Sequence, residues 1–213
     1  MKRGIIFDMD GTLWDSAENV AKSWNVAIRQ YGVRDIQGVM GKTMDVIADI
    51  LFAEFPEEKR RLLLKECCQV ENDYLREHGG ILYDQVPQTL AALKRDGYHL
   101  SIVSNCQKGY IEAFLDHYDL WELVEDIECY GNNLRQKGEN IRLVVERNRL
   151  DEAVYVGDIQ GDYDASRAAG VGFIHAAYGF GEIAEPVPEL KTFADLKTFD
   201  ISSASKTQST GAM

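Results

Sequence analysis

The chain has 213 residues, 45% of them hydrophobic, and carries 23 Lys and Arg against 35 Asp and Glu, a formal net charge of −12. This length accommodates one domain with room for an inserted subdomain, and the apolar share is that of a globular protein. The negative balance, with no basic run to offset it, excludes a nucleic-acid partner held by general charge attraction, because a phosphate backbone would be repelled.

No stretch approaches the roughly 18 apolar residues of a membrane-spanning helix, and the apolar run near the N-terminus is too short for a secretion signal. A cytoplasmic protein without a membrane partner is expected. Cys67, Cys68, Cys106 and Cys129 form no CxxC pair and have no zinc-like spacing with the 4 histidines, so they read as reduced, ordinary residues.

In chain order, the apolar run GIIF ends at Asp8. From Ser16 to Tyr31 a helical stripe of Val20, Trp24, Ala27, Ile28 and Tyr31 follows, with Asp15 or Ser16 as N-cap and Gly32 as stop. MDVIADILFAEF reads as a second helix ending before Pro56, and EEKRRLLLKECCQVENDYLREHGG as a long third one closed by Gly79 and Gly80. Residues 16–80 are therefore expected to form an all-helical block.

From Ile81 the pattern changes. Pro87 opens a helix that Gly97 ends, YHLSIVSN reads as a buried strand, and a helix carrying Ile111, Phe114 and Leu115 comes next. DIECYG is a short strand, Ile141 to Asn148 a helix and AVYVGD a strand. A helix then runs to Gly170, and VGFIHA is another strand. Such alternation implies an α/β fold, a doubly wound parallel sheet with helices on both faces. The expected organisation is a core of 1–15 and 81–200, a helical insert at 16–80 and a disordered Ser- and Thr-rich tail at 201–213.

Three of these strands end in polar residues: GIIF in Asp8 and Asp10, LSIV in Ser104 and Asn105, AVYVG in Asp158. Ligands bind at the carboxyl ends of strands in such sheets, so these residues should meet at one edge. In an extended chain Asp8 and Asp10 share a face while Met9 points away. Like charges about 4 Å apart repel by roughly 1 kcal/mol in water and by more near a protein surface, so a positive partner is expected. An EF-hand is excluded, because it would need Asp or Asn at Thr12, Gly at Leu13 and Glu at Asn19.

With DMDGT at 8–12, Ser104-Asn105, Lys137 and GDIQGDYDASRAAG at 157–170, most of the chain resembles the haloacid dehalogenase-like phosphohydrolases, in a subgroup with a helical cap. The resemblance implies a magnesium-dependent phosphatase acting on a small phosphorylated metabolite, phosphoglycolate being one candidate. Asp8 would be the nucleophile that becomes an aspartyl-phosphate, and Asp10 the general acid and base. Mg2+ would sit among Asp8, the main-chain carbonyl of Asp10, Asp158 and, directly or through water, Asp162. Ser104, Asn105, the amides around Gly11 and Thr12, and Lys137 would hold the phosphoryl group. Gly41 and Lys42 lie where family members carry a substrate-selecting loop.

Other readings remain at this level. Gly138 stands where a proline often follows the family's lysine, so Arg135 or Lys108 could supply the charge instead of Lys137. Asp162 could serve only as a first-turn helix carboxylate. A sugar phosphomutase would share both aspartates, and a non-catalytic phospho-acceptor or metabolite-binding protein is an alternative of another class. Monomer and homodimer are equally compatible with the sequence.

Overall fold

The computed structural model describes residues 1–29, 31, 44–201 and 204, with 44 and 45 as backbone only. In chain order these form β1 (Arg3–Phe7), β2 (Trp14–Asp15), α1 (Ala17–Arg29), α2 (Met44–Leu51), α3 (Glu57–His78), β3 (Ile81–Leu82), α4 (Val86–Arg95) and β4 (His99–Ser104). There follow α5 (Tyr110–Tyr118), β5 (Asp126–Cys129), α6 (Tyr130–Asn133), α7 (Lys137–Asn148), β6 (Glu152–Gly157), α8 (Gln160–Ala169), β7 (Gly172–Ala176) and β8 (Glu189–Leu190). Two 3-10 turns, Trp121–Leu123 and Phe193–Lys197, complete the set. No helix among the described residues is long and apolar enough to cross a membrane.

The chain divides into two compact units, one of Met1–Asp15, Ile81–Asn105 and the chain from Asp119 on, the other of Ser16–Gly80 and Cys106–Tyr118. The first is built on a parallel sheet in the order β5-β4-β1-β6-β7-β8. Its inner strands are continuous apolar runs rather than alternating ones because both faces are covered. On one face Ile6, Val103, Tyr155 and Phe173 pack with Ile141 and Val144 of α7. Burying each such aliphatic side chain contributes about 1.5–3 kcal/mol. On the other face Phe7 meets Phe193, with ring centroids 5.6 Å apart, and α4 packs against the second 3-10 turn.

Register places the site. Phe7 lies opposite Ile102 of β4 and Val156 of β6, so β1, β4 and β6 finish within about two residues of one another. The chain goes from central β1 first to β4 and β5 on one side, then to β6, β7 and β8 on the other, which makes the ends of β1 a topological switch point.

In the second unit, the α1 stripe of Val20, Trp24, Ala27 and Ile28 is buried, α1 packs against α3, and the Trp24 indole donates to the Glu71 carboxylate. The sequence reading assigned α5 to the core, whereas here it packs with α3. The Asn72 amide nitrogen donates to the Lys108 carbonyl at 2.8 Å and Gln107 donates to the Asn72 side-chain oxygen at 3.0 Å. This segment is thus tied to α3 by polar contacts that helical periodicity does not reveal.

One further expectation differs. The tail is not wholly unstructured, since Ile201 and Ala204 are buried and the Ala204 carbonyl lies against Gly172. Residues 202, 203 and 205–213, and the expected stop at Gly32, lie outside the described residues.

Candidate active site

β1 ends at Phe7, one residue before the first acid. The Asp8 amide prolongs the ladder by donating to the Val156 carbonyl at 2.9 Å, and the backbone then turns. The turn closes on itself: Gly11 N donates to Trp14 O at 2.9 Å, and Thr12 N and Leu13 N to Met9 O at 3.2 and 2.8 Å. The Gly11 and Thr12 amides are therefore already committed. The expectation placed phosphoryl oxygens on the amides around these residues, two of which are engaged within the turn. The Thr12 hydroxyl, fully buried, has no hydrogen-bond partner among the described residues.

Gly11 has φ +78, and a Cβ there would stand 2.0 Å from Asp158 Oδ2. Glycine is required both for the left-handed backbone and for the approach of Asp158. The Asp158 carboxylate is also held by the Phe180 amide, which donates to its Oδ2 at 2.8 Å.

Lys137, in the first turn of α7, is buried and bridges two carboxylates: its Nζ lies 3.0 Å from Asp8 Oδ1 and 2.6 Å from Asp162 Oδ1. Lys137, rather than Lys108 in the other unit, is the cation paired with Asp8. The second oxygen of Asp162 accepts from the Asp158 and Ile159 amides at 3.0 and 3.2 Å, capping α8. Both oxygens of Asp162 are thus in use, one anchoring the lysine and the other the helix start.

Oxygens of Asp8, Asp158 and Asp162 lie within 4.8 Å of one another, and all three residues are buried. Asp162 and Asp158, brought in from β6 and α8, are carboxylates that crowd Asp8. Burial first, then Asp162, pushes Asp8 up to about 7 against the pull of Lys137. Burial raises Asp158 to about 6. For Lys137, burial would lower the ammonium, but Asp162 and Asp8 outweigh it and hold it above its ordinary value.

With all three carboxylates ionised, the one ammonium paired with them among the described residues leaves two negative charges to be balanced. A divalent cation fits that balance, and an all-oxygen donor set suits a hard one. Asp8, Asp158 and Asp162 each bring an oxygen within reach of a shared cation, Asp162 being the one also engaged by Lys137 and two backbone amides.

Ser104 closes β4, nearly buried, and Asn105 follows it exposed, both at the sheet edge that carries Asp8 and Asp158. Asp10 is half-buried in the turn, bridged to Trp14. Gly41 and Lys42 lie outside the described residues. Two contributors had no readable signal. The Phe180 donor is main chain, and Tyr155, whose hydroxyl donates to Val103 O at 2.7 Å beneath the site, reads in sequence as one more buried strand residue.

The parallel sheet thus delivers a buried, lysine-paired aspartate to an acidic cluster at the switch point of an α/β fold. The chain belongs to the haloacid dehalogenase-like hydrolases, whose family pattern matches residues 5–176. It is 25% identical to the phosphoglycolate phosphatase of Aquifex aeolicus (strain VF5) over 88% of this chain and 90% of that one. To the phosphoglycolate phosphatase of Yersinia pestis it is 28% identical over 91% of each. CbbY from Rhodobacter sphaeroides in complex with phosphate shares the fold, with a TM-score of 0.77 at 21% identity, covering 92% of this chain and 96% of that one. A haloacid dehalogenase-like family hydrolase from Streptococcus pneumoniae superposes with a TM-score of 0.71 at 20% identity, covering 93% and 97%. The chain is accordingly an enzyme, a phosphatase similar to the phosphoglycolate phosphatases.

Proposed function

We propose that this protein hydrolyses a small phosphomonoester of the phosphoglycolate type in two steps through Asp8, in a magnesium-dependent reaction. The observation that carries the proposal is the buried Asp8 carboxylate held by Lys137 at 3.0 Å, within 4.8 Å of Asp158 and Asp162. A lysine so placed fixes the nucleophile's orientation and leaves one Asp8 oxygen for attack on phosphorus.

In the first step a bond forms from an Asp8 oxygen to phosphorus as the ester P–O bond breaks, and Asp10 gives its proton to the leaving alkoxide. In the second, Asp10 takes a proton from water, whose oxygen attacks phosphorus. The acyl–phosphate bond breaks, releasing phosphate and restoring Asp8. Ser104 and Asn105 at the end of β4, with the Lys137 ammonium, are the groups assigned to the phosphoryl oxygens. Asp8 and Asp158 would hold Mg2+, which when bound supplies positive charge against the phosphoryl oxygens and the carboxylates.

The test is phosphate release from phosphoglycolate and a panel of other small phosphomonoesters, with Mg2+ or with chelator. Release is expected only with metal, and Asp8→Asn should lower it by at least about a thousandfold while the far-ultraviolet circular dichroism is unchanged. Wild-type phosphate release by Asp8→Asn would remove Asp8 as nucleophile. An isomerised sugar phosphate without free phosphate would mark a phosphomutase instead.

A further inference from the structure

Beyond β7 the chain runs Ala177-Tyr178-Gly179-Phe180-Gly181, a segment that the chemistry above does not use except for one amide. It touches both halves of the site. The Tyr178 hydroxyl donates to the Thr12 carbonyl at 2.8 Å, on the turn that follows Asp8. Two residues on, the Phe180 amide donates to Asp158 Oδ2 at 2.8 Å. Between them, a Cβ on Gly179 would stand 2.4 Å from both the Gly11 carbonyl and the Asp158 Cβ, so the backbone itself is wedged between the turn and Asp158.

The segment is fixed from outside as well. The Tyr178 ring packs edge-on against Tyr83, with centroids 4.9 Å apart. At the far end His175 Nε2 lies 3.3 Å from the Gly181 carbonyl, an arrangement that requires the Nε2–H tautomer.

We propose that residues 177–181 form a strap, with Tyr178 as its positioning residue, that aims the Asp158 carboxylate at Asp8 and thereby sets the affinity for the divalent cation. The inference rests on the reading above that Asp158 holds such a cation. Its physical content is preorganisation. Asp158 accepts from a main-chain donor whose position depends on the backbone, and the backbone is pinned to the Asp8 turn by the Tyr178 hydroxyl. Groups that orient a ligand in this way usually matter about 10- to 100-fold in metal affinity, and one hydrogen bond further away should matter about fivefold.

The test is calorimetric titration of the full chain with Mg2+ alone, in the wild type, Tyr178→Phe, Gly179→Ala and Asp158→Asn. Tyr178→Phe retains the ring packed on Tyr83 and deletes only the hydroxyl. It should raise the Mg2+ Kd about fivefold, and Gly179→Ala, which forces the strap away from Asp158, should raise it about tenfold or more. Asp158→Asn should abolish measurable binding. If Asp158→Asn loses binding while both strap variants bind Mg2+ as the wild type does, the strap is overturned and the metal site stands. If Asp158→Asn binds Mg2+ with wild-type affinity, the metal reading beneath the strap is overturned.

Discussion

At Lys137 one buried ammonium faces two buried carboxylates, Asp8 and Asp162. Removing it would leave both charges in a low-dielectric pocket with no counter-ion among the described side chains that pair with them. Breaking a buried pair in this way costs about 3–5 kcal/mol. Lys137→Met should therefore lower stability by about 3 kcal/mol in urea unfolding at neutral pH in the presence of chelator. A loss below about 1 kcal/mol would show that the acids protonate at little cost. The lysine was legible in sequence only as a candidate, because Gly138 replaces the proline often found after it. Glycine suits a close helix contact here: a Cβ at 138 would stand 3.0 Å from the Ala165 carbonyl and 3.1 Å from the Ala168 Cβ, so α8 would have to give by a few tenths of an ångström.

Among the elements, β4 carries His99 at its first position, buried, with its Nε2 lacking a hydrogen-bond partner among the described residues. Burial, and then Lys2, hold its pKa below the ordinary 6.5. The folded strand thus binds fewer protons than the unfolded chain below about 6.5, so stability is lost as pH falls through that value. His99→Leu should flatten this loss: between about pH 7.5 and 5 its melting midpoint should fall less than that of the wild type. An equal fall in both would mean that His99 charges freely in the fold. The strands themselves were legible, since continuous apolar runs ending in Asp8, Ser104 and Asp158 mark a sheet covered on both faces. The ribbon of β2 and β3, only two residues each, and the pair Glu189–Leu190 are too short to leave a period.

For the whole molecule, the helical unit is not one continuous insert, because Cys106–Tyr118 belongs with Ser16–Gly80. The five buried side chains Tyr110, Ile111, Ala113, Phe114 and Leu115 lie on α5, which packs on α3. A chain from which residues 16–80 are excised should leave part of this surface uncovered, and should bind a hydrophobic dye and self-associate in sedimentation. A monodisperse, dye-silent product would show that α5 is covered without α3.

Local chemistry determined the fold class, the order of strands and helices, and the acids that end β1 and β6. Each of these is written in the period, the caps or the spacing of neighbouring residues. Tertiary structure alone decided which oxygens of those acids are free, because that depends on partners far along the chain: Lys137 on Asp8 and Asp162, and the Phe180 amide on Asp158. It also decided where α5 belongs, since its apolar stripe is equally suited to a sheet or to a helix, and Asn72 with Gln107 ties it to α3. Periodicity reports that a face is buried; it carries no record of what covers it.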